Sequence, residues 1–432
     1  DITSPTTLVN PIAGWITQDF SSSYTDIDNS GGVGIEKSYY QPTYFNGTEW
    51  RANGLRGFFN DDFSTSAISS DWTNATGVWS NVTGALNQTD EANSNTNLYA
   101  TVTQSLSNAY LYNFKGTISG TGTNRRGGIH IFSDSPSLTN RGNSYLIWMR
   151  PDNGTIELYE TISNVLYVVK TVTYTVLPNT VYDYKISYDK TSGEVKLWIN
   201  DVFVSSWIDA SPLTSATGVS FRSGNSKFIV DDFKVFRSRG TTSTILVGSA
   251  TTNDLLKENV SPTTPSGKIN SITNDLANNI SLINSTLLDI DWTKPIKSTL
   301  IKDGTASDID TTYIATQLDL NYTVAKDTNS GVTNYFYAIG TTAGAKDITN
   351  WTSNGLLTNA TQTGLSLVMS QKYYIMVKCI NGAGLMSDST VSDGVLNLGL
   401  IGLEENNILN SLNVFPNPTN NYATISIIGT SN

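Results

Sequence analysis

Histidine and cysteine each occur once in the 432-residue chain, and this limits the chemistry that the chain can perform. His130 is the single histidine, so a zinc site built from two or three histidines is excluded. A Ser-His-Asp triad would have to use His130, which strand alternation places on the face opposite Ile129 and Ile131. Cys379 is the single cysteine, which excludes a disulfide framework and a thiolate metal site. We therefore expect His130 to have a structural or binding role rather than a catalytic one.

Carboxylate pairs offer a second route to catalysis, because a retaining glycosidase needs two of them about 5 Å apart in one cleft. The strand motif Glu-x-Asp-x-x-Glu, which supplies such a pair in one family of β-sheet glycosidases, does not occur in the chain. Glu157 and Glu160 are the nearest acidic strand residues, and they lie in an amphipathic hairpin pattern. The sequence therefore predicts that this chain is not an enzyme, and it leaves open a catalytic domain upstream of Asp1.

Two pairs of adjacent aspartates could hold a hard cation. Asp61 and Asp62 stand in an Asp-Asp-Phe run, and Asp231 and Asp232 stand in a second such run far along the chain. Calcium prefers carboxylate and backbone oxygens, and in each pair one side chain could face a shared site. We expect Ca²⁺ there if the two runs meet; the alternative is that all four are ordinary acids at strand ends.

A group of aromatic and basic residues is the candidate for ligand binding. Trp148 and Arg150 share one strand face, His130 can lie on the neighbouring strand, and Arg125 and Arg126 precede that strand in a glycine-rich loop. Sugars favour aromatic faces with polar neighbours, so these five residues predict a carbohydrate site. The alternative is that Trp148 belongs to the hydrophobic core.

The composition sets the elements that must position these residues. Hydrophobic residues make up 38% of the chain and charged residues 15%, while Thr, Ser, Asn and Gly are abundant, which favours short strands and polar turns. We expect an all-β fold with two to four domains. A formal net charge of −11 argues against nucleic acid as a partner. No apolar run is long enough for a transmembrane segment, and no signal peptide precedes Asp1.

Internal similarity predicts an insertion. Residues 30–41 resemble 330–340, and residues 274–281 resemble 381–387, in the same order but with a much longer separation in the earlier copy. Because loop closure becomes costlier only slowly with length, a whole domain can be inserted in a surface hairpin. We therefore expect residues 60–238 to form a domain inserted into a split β-sandwich, which consists of residues 1–59 and 239–293.

Three family resemblances accompany this division. Residues 60–238 resemble the laminin G-like, concanavalin A-like jelly roll of bacterial extracellular proteins, through the segments NRGNSYLIWMRPDNGTIELYE and FIVDDFKVFRS. Residues 1–59 and 239–293 resemble one split bacterial immunoglobulin-like domain, through the late turn NDLANN. Residues 294–397 resemble a fibronectin type III domain. These resemblances imply β-sandwiches with a jelly roll inserted in the first.

The end of the chain resembles the start of the type A C-terminal sorting domain of the Bacteroidota type IX secretion system. The residues that carry this resemblance are Phe415, Pro416, Asn417 and Pro418, which lead into a strand pattern. Residues 398–411 are the expected linker, and 412–432 would be the incomplete sorting domain. The resemblance implies two partners, the outer-membrane translocon and its shuttle protein, and a secreted or cell-surface location.

The leading functional hypothesis is a secreted, non-catalytic region of a larger cargo protein that binds a glycan or other cell-surface ligand. One rival is a structural stalk or surface adhesin, such as a gliding-motility adhesin, and a second is the accessory half of an amidase or polysaccharide lyase whose catalytic domain lies upstream. Thr311 and Ser389 each follow an aspartate in short triplets that resemble Bacteroidota O-glycosylation sites.

Overall fold

The structure, a computed structural model, describes residues 1–256 and 265–399 and the backbone of two short strands beyond them. It consists of β-strands and two single-turn 3-10 helices, Gly54–Arg56 and Pro151–Asn153. The predicted all-β fold class of several β-sandwiches is therefore confirmed. Over the described ranges, no helix is both long and apolar enough to cross a membrane.

The chain divides into two compact units, Asp1–Thr293 with Thr328–Ser330, and Lys294–Asp327 with Gly331–Asn432. The first strands of the first unit are β1 (Thr6–Val9), β2 (Phe20–Ile27), β3 (Ile35–Phe45), β4 (Trp50–Arg51) and β5 (Phe59–Asp61). The middle strands are β6 (Trp72–Thr76), β7 (Trp79–Val82), β8 (Ala85–Gln88), β9 (Asn97–Thr101), β10 (Ala109–Ser119), β11 (Arg126–Ser133), β12 (Ser144–Arg150), β13 (Thr155–Ile162), β14 (Val165–Thr173), β15 (Tyr182–Asp189), β16 (Glu194–Ile199), β17 (Val202–Ile208), β18 (Gly218–Gly224) and β19 (Lys227–Arg239). The last are β20 (Thr242–Ile245), β21 (Val247–Gly248), β22 (Leu255–Leu256), β23 (Gly267–Asp275) and β24 (Asn284–Leu288).

The middle strands form the two layers of a jelly roll. One layer is a seven-stranded sheet in the order β14-β13-β12-β11-β18-β9-β6, and the other uses β17-β16-β15-β10-β19 with β7 and β8. Alternate residues of both sheets point inward, and they build the largest hydrophobic core, in which Ile129, Phe114 and Phe221 are fully buried. The opposite face of the seven-stranded sheet lies outside this core, and we call it the outer face.

The second layer of the jelly roll continues without a break into the flanking segments. β19 pairs with β3 at its end, with Arg239 opposite Ser38, and β3 pairs along its length with β23, which pairs with β24. β2 likewise pairs with β20, so strands from before Phe59 and after Arg239 share sheets. Both flanks also supply one core, in which Val9, Tyr40 and Ile269 are buried.

A second buried cluster joins the jelly roll to the flanking sandwich. Trp198 of β16 is fully buried, and its indole N–H donates to the Asn278 carbonyl oxygen at 2.7 Å. Leu111, Phe236 and Ile272 pack in the same cluster. Residues 1–293 therefore form one compact body. The boundaries near 59 and 239, and the immunoglobulin-like and laminin G-like identities, stay predictions.

The second unit is a separate β-sandwich. Its strands are β25 (Ile301–Lys302), β26 (Thr311–Thr312), β27 (Gln317–Tyr322), β28 (Val332–Gly340), β29 (Thr349–Gly355), β30 (Asn359–Thr363), β31 (Lys372–Asn381), β32 (Thr390–Val391) and β33 (Val395–Asn397). A three-stranded sheet, β25-β27-β30, faces a sheet with the path β26-β33-β31-β28-β29. Leu320, Tyr373 and Cys379 are buried between them, so the single thiol is a core residue. The fibronectin type III identity stays a prediction.

Beyond residue 399 only a pairing of two strands is described, β34 (Val414–Phe415) with β35 (Thr424–Ile425). Phe415 lies in β34, while Pro416, Asn417 and Pro418 of the expected sorting signal lie outside the described residues. The linker at 398–411 lies almost wholly outside them. The type IX resemblance therefore stays a prediction.

Candidate functional site

The outer face of the seven-stranded sheet carries a compact group of polar and aromatic side chains. Strand register sets one row across four strands, in which Glu157, Trp148, Gly128 and Arg222 are consecutive cross-strand neighbours. We define the arginine cluster as this row's side chains together with those that contact them: Arg126, Trp148, Arg150, Glu157, Tyr159 and Arg222.

Trp148 is the support of the arginine cluster rather than an exposed platform. Only 4% of it is exposed, although it lies outside the main core. The guanidinium carbons of Arg126 and Arg222 lie 5.9 and 5.2 Å from the centre of its ring. At distances within about 6 Å, a guanidinium is attracted to the face of an indole ring. The expected sugar-stacking role of Trp148 therefore needs correction, because the arginines cover it.

Gly128 explains how Arg222 reaches Trp148. It stands between them in the row, opposite both residues. A Cβ there would lie 2.0 Å from the Ile147 carbonyl oxygen and 3.1 Å from the Trp148 ring. Because glycine has no side chain, the long Arg222 side chain can pass over β11 to the tryptophan.

Glu157 is the only carboxylate within the arginine cluster. It accepts hydrogen bonds from Arg150 Nη1 and from the Tyr159 hydroxyl, each at 2.5 Å. Burial and the Glu157 carboxylate raise the pKa of Tyr159 to about 12, so its hydroxyl stays protonated. Glu160 follows on the opposite side of β13 by strand alternation, so the two glutamates do not share a cleft.

Arg222 has an incomplete set of partners. Its Nε and Nη1 atoms are buried and have no hydrogen-bond partner, and neither have Nε of Arg126 and Nε of Arg150. Arg126 does donate through Nη2 to the Asn225 amide oxygen at 2.7 Å. Burial and the charge of Arg126 lower the pKa of Arg222 to about 10, so it remains a cation at neutral pH. The cluster thus presents N–H donors that the protein leaves unused.

His130 lies on the predicted face, away from Ile129 and Ile131, but it is fully buried. Its Nδ1 is 3.0 Å from the Ser144 hydroxyl, and its Nε2 has no partner. Burial, Arg141 and Arg222 lower its pKa well below the usual value, so the ring is neutral. Direct contact of His130 with a ligand is therefore not supported, because no part of it reaches the surface.

Arg141, which the sequence analysis did not single out, is a buried cation beside the cluster. It is fully buried, and it donates to the Ser220 hydroxyl at 3.0 Å and the Asn95 amide oxygen at 2.7 Å. It also donates to the carbonyl oxygens of Thr139 and Thr96. These bonds fix the loop between β11 and β12 against β18.

Arg125 belongs to the edge of the sheet rather than to the arginine cluster. Its guanidinium donates to Asp152 at 2.6 and 3.1 Å, and its backbone N–H donates to the same carboxylate. This pair lowers the pKa of Asp152 and raises that of Arg125. Of the five predicted ligand-binding residues, the structure brings together Arg126, Trp148 and Arg150.

The expected calcium site has a different composition in the structure. Asp61 stands opposite Phe233 in the paired end strands, yet the carboxylates that lie close to it are Asp62 and Glu49. Asp232 pairs instead with Lys234 and Lys115.

Arg51 lies 3.6 Å from Asp61 and 3.3 Å from Glu49, so it neutralises part of this acidic group. Asp61 also accepts hydrogen bonds from the Trp72 indole and the Phe63 backbone N–H. Glu49 keeps one buried oxygen without a hydrogen-bond partner. A cation at this place would therefore bind Glu49 with Asp61 and Asp62. Asp231 and Asp232 are not in this group.

Two further carboxylate groups are close enough to share a cation in the part of the chain that the structure describes. One is Asp1, Asp28 and Asp275; the other, the Asp303 group, is Asp303, Asp308 and Asp393 in the second unit. Asp303 is 1% exposed, and burial raises its pKa to about 6.

Polar clefts of about 200 and 660 Å³ lie where the jelly roll meets the flanking sandwich. Charged residues in these clefts form ion pairs with one another: Lys37 with Asp189, Lys196 with Glu36, and Arg239 with Asp26. These clefts therefore offer a ligand fewer free donors than the arginine cluster does. In the second unit, Thr311 and Ser389 are exposed, and their glycosylation stays a prediction.

Comparison with known proteins gives weak structural likenesses. No family model matches the chain, and no curated protein matches it. It is similar to a carbohydrate-binding module, CBM66, from Bacillus subtilis, with 14% identity and a TM-score of 0.34 over 40% of this chain and 99% of the module. The Emp47p carbohydrate recognition domain gives 12% identity and 0.35 over 43% and 97%. A Bacillus licheniformis β-glucanase gives 10% identity and 0.33 over 42% and 99%. TM-scores this low carry no weight for function, which must rest on the residues.

Proposed function

We propose that this chain is a non-catalytic carbohydrate-binding region and that the arginine cluster is its sugar site. The observation that carries the proposal is Arg222, a buried guanidinium that the protein leaves with two unpartnered nitrogens. Buried polar groups normally have partners, so two buried nitrogens without a partner on one half-exposed side chain call for an explanation, and a ligand bound beside Arg222 supplies one.

The chemistry of the cluster suits a polyhydroxylated ligand. Guanidinium groups offer several N–H donors in a fixed plane, while Glu157 and Tyr159 offer oxygen acceptors beside them. Binding sites of this kind combine an aromatic support with a few well-placed polar groups, and Trp148 is such a support. Because the sheet holds all these side chains on four neighbouring strands, the site is formed before the ligand arrives.

The same geometry argues against catalysis at this face. Hydrolysis with retention needs two carboxyl groups about 5 Å apart on one cleft, and inversion needs two somewhat farther apart. The cluster supplies Glu157 alone, and Arg150 and Tyr159 already occupy its oxygens. A carboxylate so engaged is better suited to orient its neighbours than to transfer a proton.

The wider context is part of the same proposal. We infer a secreted or cell-surface cargo of the type IX system, with the translocon and its shuttle protein as partners, from the resemblance near Phe415. Calcium is a proposed cofactor at Glu49, Asp61 and Asp62. An amidase or lyase upstream of Asp1 would make this region an accessory half.

A structural stalk or gliding-motility adhesin is the second candidate function. The sheet that runs from the jelly roll into the flanking sandwich favours it, since a continuous sheet holds the two parts in a fixed relation. A stalk would not need the free guanidinium donors of the arginine cluster, so ligand binding separates the two candidates.

A glycan array probed with the whole chain tests the carbohydrate proposal. We expect at least one glycan to be retained, and we expect the Trp148→Ala variant to lose most of that signal because its arginines lose their support. Circular dichroism and thermal melting must show that the variant is folded; Tyr159→Phe is a milder substitute. Absence of binding to any glycan would overturn the proposal and favour the stalk.

A further inference from the structure

The arginine cluster has an excess of positive charge in an acidic chain. Arg126, Arg150 and Arg222 face a single carboxylate, Glu157, whereas the chain as a whole has a net charge of −11. Arg125 does not add to the excess, because Asp152 neutralises it. A neutral sugar would leave this local excess unchanged.

The three arginines differ in how far the protein satisfies them. Arg150 is paired with Glu157 and donates to the Asn124 amide oxygen, and Arg126 donates to Asn225. For Arg222 the structure shows the Trp148 ring as support and no hydrogen-bond acceptor. Arg222 and Arg126 lie over the same ring, so an anion near that ring would meet both.

Like charges held this close raise the free energy of the unliganded protein. Burial and the charges of its neighbours lower the pKa of Arg126 as well as that of Arg222. Arg222, with a pKa of about 10, keeps its proton near neutral pH, and a guanidinium stays charged in proteins, so the repulsion persists until an anion binds. A carboxylate bound above the Trp148 ring would place a negative charge beside both guanidinium groups and so reduce the repulsion.

We propose that the arginine cluster recognises an acidic glycan, with a sugar carboxylate bound by Arg222 and Arg126 above Trp148. This inference rests on the proposed carbohydrate function and specifies its ligand class. A planar guanidinium matches the two oxygens of a carboxylate in a paired, bidentate geometry. The Tyr159 hydroxyl oxygen, whose hydrogen is donated to Glu157, remains to accept a hydrogen bond from a neighbouring sugar hydroxyl.

Isothermal titration of the whole chain tests this with three matched probes: a uronic acid oligosaccharide, the same oligosaccharide with its carboxylates reduced to alcohols, and a sulfated oligosaccharide. We expect the uronic acid form to bind at least tenfold more tightly than the reduced form. Its affinity should fall as salt is raised, because part of the attraction is electrostatic. The sulfated probe should bind more weakly than the uronic acid.

Variants locate the effect on the sheet. Arg222→Gln should weaken binding of the uronic acid about tenfold and should bring its affinity close to that of the reduced sugar. Lys115→Gln removes a positive charge from the other sheet, where Lys115 is exposed, and should change the affinity less than twofold. Thermal melting checks that each variant is folded, and Arg126→Gln takes the place of Arg222→Gln if the latter is not.

The outcomes separate the two proposals. Equal affinity for the uronic acid and the reduced sugar would overturn the acidic ligand and keep carbohydrate binding. Equal or tighter binding of the sulfated probe would overturn the carboxylate assignment. An unchanged affinity in both arginine variants would place the site elsewhere, and absence of binding by all three probes and across the array would overturn both proposals.

Discussion

The arginine cluster and the Asp303 group are two places where like charges are held together, and they respond differently to pH. In the cluster, the pKa of Arg222 is lowered to about 10, so Arg222 stays charged throughout the neutral range. In the second unit, burial and the charges of Asp308 and Asp393 raise the pKa of Asp303 to about 6. Asp303 therefore takes up a proton in mildly acidic solution, whereas Arg222 loses none.

This difference shows which group keeps the same charge throughout the neutral pH range and can therefore recognise a charged ligand at any pH in that range. The Asp303 group can relieve its repulsion by protonation, so its charge depends on the surroundings. The arginine cluster cannot relieve its repulsion by losing a proton, because guanidinium groups stay charged in proteins, but a bound anion can relieve it. A third group lies between these cases, since Arg51 supplies an internal cation to Glu49 and Asp61.

The largest effect on stability should come from Arg141, whose buried guanidinium donates hydrogen bonds to neutral oxygens. We expect Arg141→Met to lower the free energy of unfolding by about 3 kcal/mol or more, because it leaves four acceptors without their donor, and two of these, on Ser220 and Thr96, are buried. Urea unfolding of the whole chain measures it. A loss under about 1 kcal/mol would show that water replaces the guanidinium. Arg141, whose hydrogen bonds are satisfied, would then differ less in stability contribution from Arg222, whose buried nitrogens have no partner.

The calcium proposal predicts the next largest effect. At about 100 times its Kd, calcium should stabilise the first unit by about 2.7 kcal/mol through binding to the folded state alone. Thermal melting with calcium and with chelator measures the difference. Asp62→Asn should reduce it strongly, while Asp232→Asn, at an aspartate paired with Lys234 and Lys115, should leave it unchanged. The reverse order of the two variants would restore the four-aspartate site.

Asp303 should produce a full pH effect of about 3 kcal/mol, because its pKa rises from 3.8 to about 6 and one pKa unit corresponds to about 1.4 kcal/mol; about 2 kcal/mol of this falls between pH 4.5 and 7.5. Its pKa is raised on folding from 3.8, so its contribution to stability is fully present below about pH 4 and is lost as the pH rises through about 6. Asp303→Asn should remove this part of the pH dependence and stabilise the second unit at pH 7.5. Calorimetry of both proteins from pH 4.5 to 7.5 tests it; parallel profiles would contradict the assignment.

The smallest effect should come from the exposed pair at the sheet edge. Arg125→Ala removes the ion pair with Asp152, and partly exposed pairs of this kind contribute from 0 to about 1 kcal/mol. Urea unfolding beside Arg141→Met provides the comparison, because both variants remove one arginine from the same layer. A loss equal to that of Arg141→Met would mean that burial does not decide the cost.

Much of the candidate site could be predicted from the sequence, and the missing part has a physical reason. Strand alternation alone placed Trp148 and Arg150 on one face and His130 away from Ile129. Arg222 was missed because its neighbours depend on β18 pairing with β11, and pairing between distant strands leaves no local pattern. Its signal is Gly128, a strand glycine that marks where another group passes closely.

Burial was the second quantity that the sequence could not supply. Trp148 was expected either on a sugar-binding face or in the core, and it lies on the outer face beneath two guanidinium groups. The sequence pattern predicts only an amphipathic hairpin around Glu157. In the structure, Glu157 accepts the hydrogen bonds that orient Arg150 and Tyr159. Which side chains cover one another depends on rotamers across several strands, and local sequence does not fix those.

The sheet that joins the jelly roll to the flanking sandwich also decides how the chain would carry mechanical tension. A pull applied between residues 1 and 293 acts first on the flanks, where β1 lies against β24 through the bond from the Val9 N–H to Asn284. Residues 60–238 bear no load until β3 separates from β19 and β23. In a single-molecule extension, the arginine cluster should therefore stay folded while the flanks unfold.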